Sequence, residues 1–322
     1  MNILIVGING FIGGAVATCA LLRGDRVFGL SRSEEHAFAP GITYLKGDRT
    51  DLVYMTMVIQ QHEINVVIDV IAMTPLDSLP LIETIDGLVN QYILLSSCDV
   101  YRNYELFQRI TQGPPLTTAA DEGSALRETR FPYRQAQPRA SGAHDRYLDD
   151  YDKIPIEHAA MKMSSAWTIL RLPMVFGPGD RQHRFKWAIQ PMLHQKQRLV
   201  VPTAWANWYS TYSYIDNVAN AIVLAVGNAA AYNRIFNIGE KQSISQYEWA
   251  AQIAAVMDWQ GNIVLTDQSE HPFSQSIANL DLSVPFKISS RRIRDELGYV
   301  ENVAFKDALV RTIESESGEL LP

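Results

Sequence analysis

Six short apolar runs constrain this chain more than any other feature: residues 2–6 (NILIV), 26–30 (RVFGL), 42–45 (ITYL), 66–71 (VVIDVI), 91–96 (QYILLS) and 167–171 (WTILR). They are rich in branched residues and apolar at nearly every position, so they suit strands covered on both faces. Helix-like stretches separate them at 11–22, at 51–61 behind a Thr50/Asp51 cap, near 77–88 and near 150–164. Strand alternating with helix predicts an α/β fold, a doubly wound parallel sheet.

Past residue 172 the pattern loosens. Helices are expected near 184–196, 216–227, 245–257, 289–297 and 303–316, with short strands such as 199–201 and 234–238. The division that follows is a sheet domain over 1–171 and a smaller mixed α/β lobe over 172–322, in which a substrate would bind. Residues 102–146 hold Pro114, Pro115, Pro132 and Pro138, little periodicity, and seven arginines against five acids. A loop of that length inside a compact domain is usually functional or disordered. No internal repeat is evident, and the tail ESESGELLP is expected to fray.

With 28 basic and 35 acidic side chains the net charge is −7, so neither nucleic acid nor an anionic membrane is an expected partner. The opening MNILIVGINGFIGGAVATCALL is apolar but lacks a basic leader, and Asp69 and Asp216 cut the longest later apolar runs well short of a membrane span. Cys19 and Cys98 have no CxxC spacing, which fits a reducing, cytoplasmic setting. No HxxxH cluster suggests a metal, and no GxSxG elbow suggests a serine hydrolase.

Gly7, Gly10 and Gly13 form GINGFIG directly after the first strand and at the mouth of the first helix, with Asn9, Phe11 and Ile12 in the same turn. In that context the first glycine permits a tight turn, the second lets backbone approach a pyrophosphate, and the third lets helix pack on strand. The helix dipole then favours the phosphates. The second strand ends Gly29-Leu30-Ser31-Arg32-Ser33, with no carboxylate to receive a ribose 2′-hydroxyl. Arg32 is suited to a 2′-phosphate, so NADP(H) is favoured over NAD(H).

These pieces continue in order with Lys46-Gly47-Asp48, Ile71-Ala72, LLSSCDVY, Lys153 followed by Glu157, LRLPMVFGPGD, YIDNVANAI and FNIG. Together they resemble the extended short-chain dehydrogenase/reductase family, which includes UDP-galactose 4-epimerase and dTDP-glucose 4,6-dehydratase, over nearly the whole chain. The resemblance implies a Rossmann sheet in which Asp48 binds the adenine amino group with Arg49 close by. It also places Ala72 and Met73, next to Ile71, along the cofactor, and Pro173 to Val175 on the nicotinamide side. Ser97, four residues before Tyr101, would hydrogen-bond the reacting oxygen.

The family's proton carrier is the tyrosine of YxxxK, whose phenol an ammonium acidifies. Here Lys153 aligns, but Asp149 stands four residues before it. Tyr151 is two residues away and on a regular helix would point about 200 degrees aside, because each residue turns roughly 100 degrees. It can serve only if the helix begins later. Tyr147 has Tyr151 where its lysine belongs, and Asp149 is the other acid/base candidate. Cys98 and Asp99 occupy the place of the dehydratases' acidic pair, with Asp99 as readily a turn former as a base.

An arginine six residues before the YIDNV aspartate, which clamps diphosphates in related enzymes, is replaced by Ser210. Arg291, Arg292 or the arginines of 102–146 are candidate substitutes for an anionic or sugar-like small-molecule substrate. Trp205, Trp208, Tyr209, Tyr212 and Tyr214 form either an aromatic wall or core. Pro75 and Pro80 shorten the crossover helix used in the usual family dimer, which is therefore expected to be weakened or absent. The expected activity is an NAD(P)-dependent oxidoreductase or epimerase/dehydratase-like enzyme acting on a hydroxyl or carbonyl carbon. The alternative is an inactive NADP(H)-binding sensor.

Overall fold

The computed structural model describes residues 1–33, 40–194, 196–268 and 272–318. The first half runs β1 (Asn2–Val6), α1 (Phe11–Arg23), β2 (Arg26–Ser31), β3 (Ile42–Lys46), α2 (Leu52–Gln61), β4 (Val66–Asp69), α3 (Pro75–Ile85), β5 (Gln91–Ser97), α4 (Arg102–Phe107), α5 (Lys153–Ala160) and β6 (Ala166–Leu172). The second half continues β7 (Met174–Phe176), α6 (Lys186–Leu193), β8 (Arg198–Pro202), α7 (Thr203–Ala206), β9 (Tyr209–Ser210), β10 (Tyr212–Tyr214), α8 (Ile215–Ala225) and β11 (Arg234–Asn237). It closes with β12 (Ile244–Ser245), α9 (Gln246–Val256), β13 (Asn262–Thr266), α10 (Pro272–Ser276), α11 (Arg291–Leu297) and α12 (Phe305–Ser317).

The six apolar runs are six strands of one seven-stranded parallel sheet, ordered β11-β6-β5-β4-β1-β2-β3. Helices cover both faces, as runs without polar alternation require. Val16, Ile189, Ile222, Ile253 and Ile313 of α1, α6, α8, α9 and α12 join the core on one side. Met55, Ile82 and Ile156 of α2, α3 and α5 join it on the other. The seventh strand, β11, and the covering helix α8 both come from beyond residue 171.

Three local expectations change. The helix expected from 150 begins at Lys153, because Pro155 has no N–H for the carbonyl of residue 151 and its ring would collide with that carbonyl. Residues 102–146 are tied down: they contain α4, pair Tyr101 with Leu126 and Ala120 with Ile288, and share a core with Trp208, Val284 and Phe286. The tail expected to fray is helical through Ser317, and residues 319–322 lie outside the described ones. Among the described residues no helix is long and apolar enough to cross a membrane.

Candidate active site and cofactor cradle

From β1 the chain winds to β2 and β3, then returns to β4 on the other side of β1. The crevice at the carboxyl ends of β1 and β4 is thus the topological switch point, where open α/β sheets bind ligands. Gly7 leaves β1 with φ +92°, and a Cβ there would lie 2.6 Å from Ile71 Cγ2. A Cβ on Gly13 would lie 2.3 Å from the Gly7 carbonyl, so α1 approaches β1 as closely as backbone permits. Gly10 caps α1 without a side-chain bond, and no acid stands in the first turn, which leaves that turn's amides to an anion. A cavity of about 510 Å³ opens there, lined by Asn9, Gly10, Phe11, Gly179, Arg181 and His183 among others. Asn9 donates to Ser31 Oγ (3.0 Å) and Ser33 Oγ (2.7 Å), while its buried Oδ1 has no partner. Close backbone, free amides and an unused acceptor fit a dinucleotide.

The remaining cofactor candidates divide. Arg32 reaches into solvent, 3.9 Å from Asp48. The Thr50 amide holds the Asp48 carboxyl below the usual carboxylate range, against partial burial. The buried Arg49 guanidinium binds Asp69 and donates to the Ile71 carbonyl at 2.7 Å, while its Nε has no partner among the described residues. It braces the end of β4. Ile12 is half-buried in α1; Ala72, Pro173 and Val175 are buried, Met73 is half-buried and Ile71 is exposed.

Tyr151 is brought to Lys153 by the late helix start. Asp152 is extended (φ −161°, ψ 107°), so residues 151 and 153 fall on the same side of the chain. The lysine ammonium lies 5.7 Å from the centroid of the Tyr151 ring and donates to the carbonyls of Ala72 (2.7 Å) and Leu95 (2.9 Å). The Tyr151 hydroxyl donates to Asp99 Oδ2 at 2.8 Å, and the Ser97 Oγ accepts from the Asp99 amide at 3.2 Å. α5 is held in place by Glu157, which accepts from Ser96 of β5 (2.5 Å) and pairs with Arg171 of β6 (2.7 Å).

Burial sets the protonation preferences. It lowers the Lys153 ammonium to about 8, although Asp69 and Asp99 oppose it. It raises the Asp99 carboxyl against the hydrogen bonds from Tyr151 and Tyr133 and the charge of Arg127. Burial and the Asp99 charge together push the Tyr151 phenol well above the ordinary tyrosine range.

Asp149 is held by two arginines. Burial would raise its carboxyl, but the Arg139 amide (2.8 Å) and guanidinium hold it below the usual range, with Arg146 at 3.2 Å. Tyr147 is exposed on the turn before it. Five of the seven arginines of 102–146 pair with carboxylates: Arg127 and Arg130 bind Asp152, Arg134 binds Asp150, and Arg139 and Arg146 bind Asp149. They dock the segment instead of converging on an anion. Arg291 pairs with Asp295 on the surface and Arg292 with Glu122, while Ser210 is buried against Gln246. Trp208, Tyr212 and Tyr214 are core, Trp208 stacking between Trp205 and Phe107, and Tyr209 is exposed.

Two site residues escaped the sequence reading. Asp99 was visible as the acid after Ser97 but equally as a turn former; its placement between phenols decides for the site. Tyr133 donates to the same Asp99 Oδ2 at 2.9 Å. No periodicity or motif in its proline-rich surroundings signals that position.

The family model described as the NAD dependent epimerase/dehydratase family matches residues 3–239. The chain belongs to this family. Solved structures with the same fold include the UDP-glucose 4-epimerase of Thermotoga maritima with UDP-glucose, at 17% identity, TM-score 0.70 and 99% coverage of both chains. The dTDP-glucose 4,6-dehydratase of Bacillus anthracis in complex with NAD is similar at 14% identity and TM-score 0.68, covering 99% of this chain and 97% of that one. The UDP-glucuronic acid 4-epimerase of Bacillus cereus, with UDP-glucuronic acid and NAD, gives 17% identity, TM-score 0.67 and 99% coverage of both. A search of curated protein sequences found no match.

Proposed function

We propose that this epimerase/dehydratase family member is an NAD(P)-dependent enzyme that oxidises and re-reduces a hydroxyl-bearing carbon of a sugar or sugar-nucleotide derivative. The observation that carries this reading is the Tyr151 hydroxyl, hydrogen-bonded to Asp99, whose amide bonds Ser97, beside Lys153. When bound, the nicotinamide supplies the hydride acceptor. Gly7 to Gly13 hold the diphosphate, and Asp48 holds the adenine. Ser97 orients the substrate oxygen, Tyr151 takes its proton, and the Lys153 charge favours the phenolate. Asp99 receives the proton Tyr151 gives up. A non-catalytic sensor drew its support from the missing tyrosine, and Tyr151 restores a phenol to the site.

Ser31, Arg32 and Ser33 beside Asn9 support NADP(H) over NAD(H), because a guanidinium and hydroxyls suit a 2′-phosphate. Two of the similar structures, the dehydratase and the glucuronic acid epimerase, were solved with NAD. The short α5 of 8 residues and Pro80 within α3 support a weakened version of the usual dimer, which light scattering tests. Calorimetry with all four pyridine nucleotides, followed by turnover of nucleotide-sugar and carbonyl panels, tests the main reading. Binding without turnover across both panels would return the sensor to first place.

A further inference from the structure

We propose that Tyr133, carried by the segment 102–146, is a positioning residue of this site: by donating to the same carboxylate oxygen as Tyr151 it holds Asp99 as the acceptor of the proton that Tyr151 releases when a hydroxyl is oxidised. The inference rests on the role given to Tyr151 above. Both phenols donate to the same carboxylate oxygen, Tyr151 at 2.8 Å and Tyr133 at 2.9 Å, and their rings meet edge to face at 5.0 Å. The other oxygen, Oδ1, is buried without a partner, so the carboxylate carries a charge that its surroundings satisfy on one side only. Tyr151 is buried, whereas Tyr133 is half-buried. The Tyr104 ring packs against Tyr133, with centroids 5.5 Å apart. The other titratable or charged groups around Asp99 are Lys153, Arg127, whose Nε donates to the Asp99 carbonyl at 3.1 Å, and the Cys98 thiol.

The proton balance is as follows. The substrate O–H breaks as a new Tyr151 O–H forms, and the proton that Tyr151 carried bonds to Asp99 Oδ2. The hydride of the same oxidation leaves the substrate carbon for the nicotinamide. When the carbon is re-reduced the carboxyl proton returns to the Tyr151 oxygen as Tyr151 gives its own proton to the substrate oxygen, which restores the carboxylate and the phenol.

The test uses the cofactor-free full chain with 3-fluorotyrosine placed at position 151, read by fluorine NMR. Tyr133→Phe removes the competing donor, strengthens the Tyr151–Asp99 bond and gives the reporter more phenolate character. Asp99→Asn removes the charge and gives it less. The two variants are therefore expected to shift the resonance in opposite directions. A resonance that Tyr133→Phe leaves in place, or moves the same way as Asp99→Asn, overturns the proposal. In the loaded enzyme Tyr133→Phe should lower kcat about tenfold with KM unchanged, and increase the solvent deuterium effect on kcat. A fall in kcat with no change in that effect also overturns it. Failure of every pyridine nucleotide to bind sinks the functional reading and leaves the fluorine shifts interpretable by themselves.

Discussion

At the scale of single residues, the proposed site depends on Tyr151 taking the place that the family gives to the tyrosine four before the lysine. Tyr151→Phe is expected to cut turnover by about 10²–10⁴-fold while cofactor affinity, measured by calorimetry, stays within a few-fold. Ser97→Ala should lower kcat less, because it orients the oxygen without exchanging its proton. Lys153 has its own signature. Burial holds its ammonium near 8, down from 10.5, so between those values the unfolded chain binds more protons than the folded one. Stability should therefore rise with pH through that window, while turnover that needs the ammonium falls as pH climbs past about 8. Urea melts and a kcat profile across the same range check the two opposite slopes, and Lys153→Met should flatten the first.

At the scale of elements, the start of α5 decides which side chains meet. Pro155 keeps residue 152 extended, and that one residue turns a pair that a helix would separate into a pair that share a side. Pro155→Ala permits the helix to run back over Tyr151, so turnover should drop at least tenfold, on the order of 1.4 kcal/mol of transition-state stabilisation, with little change in melting temperature. The glycine turn after β1 has no such latitude. Gly13→Ala drives a Cβ to 2.3 Å from the Gly7 carbonyl, which is backbone and cannot rotate away. It should cost about 1–3 kcal/mol of stability and abolish measurable cofactor binding. The proline signal at α5 was present in the sequence, but a helix read from apolar spacing alone starts too early. The alternation of runs was the stronger signal, since buried strands cannot hide their composition.

At the scale of the whole molecule, the segment 102–146 is what completes the site. Asp152 accepts from Arg127 at 2.6 Å and Arg130 at 2.8 Å, and both Asp152 and Arg127 are fully buried. Removing one partner of a buried pair leaves the other charge without compensation, so Asp152→Asn should cost about 3–5 kcal/mol. It should also expose 102–146 to proteolysis before the sheet unfolds, as limited digestion would show. The acids of YLDDYD have the same logic: Asp149 stands where the family carries a tyrosine because Arg139 and Arg146 need a carboxylate there.

What the sequence determined by itself was the sheet, its winding and the glycine turn, because each is enforced by interactions within a few residues or by burial on two faces. The family motifs likewise marked Ser97 and Lys153. Only the tertiary structure decided that Tyr151 is the phenol in reach, that five arginines of 102–146 are spent on Asp149, Asp150 and Asp152, and that Tyr133 meets Asp99. Those outcomes depend on contacts between residues up to 52 positions apart, such as Tyr151 with Asp99, and on a single extended residue at a helix start. Local periodicity does not encode either, since ion pairs and hydrogen bonds form wherever the packed core brings their partners together.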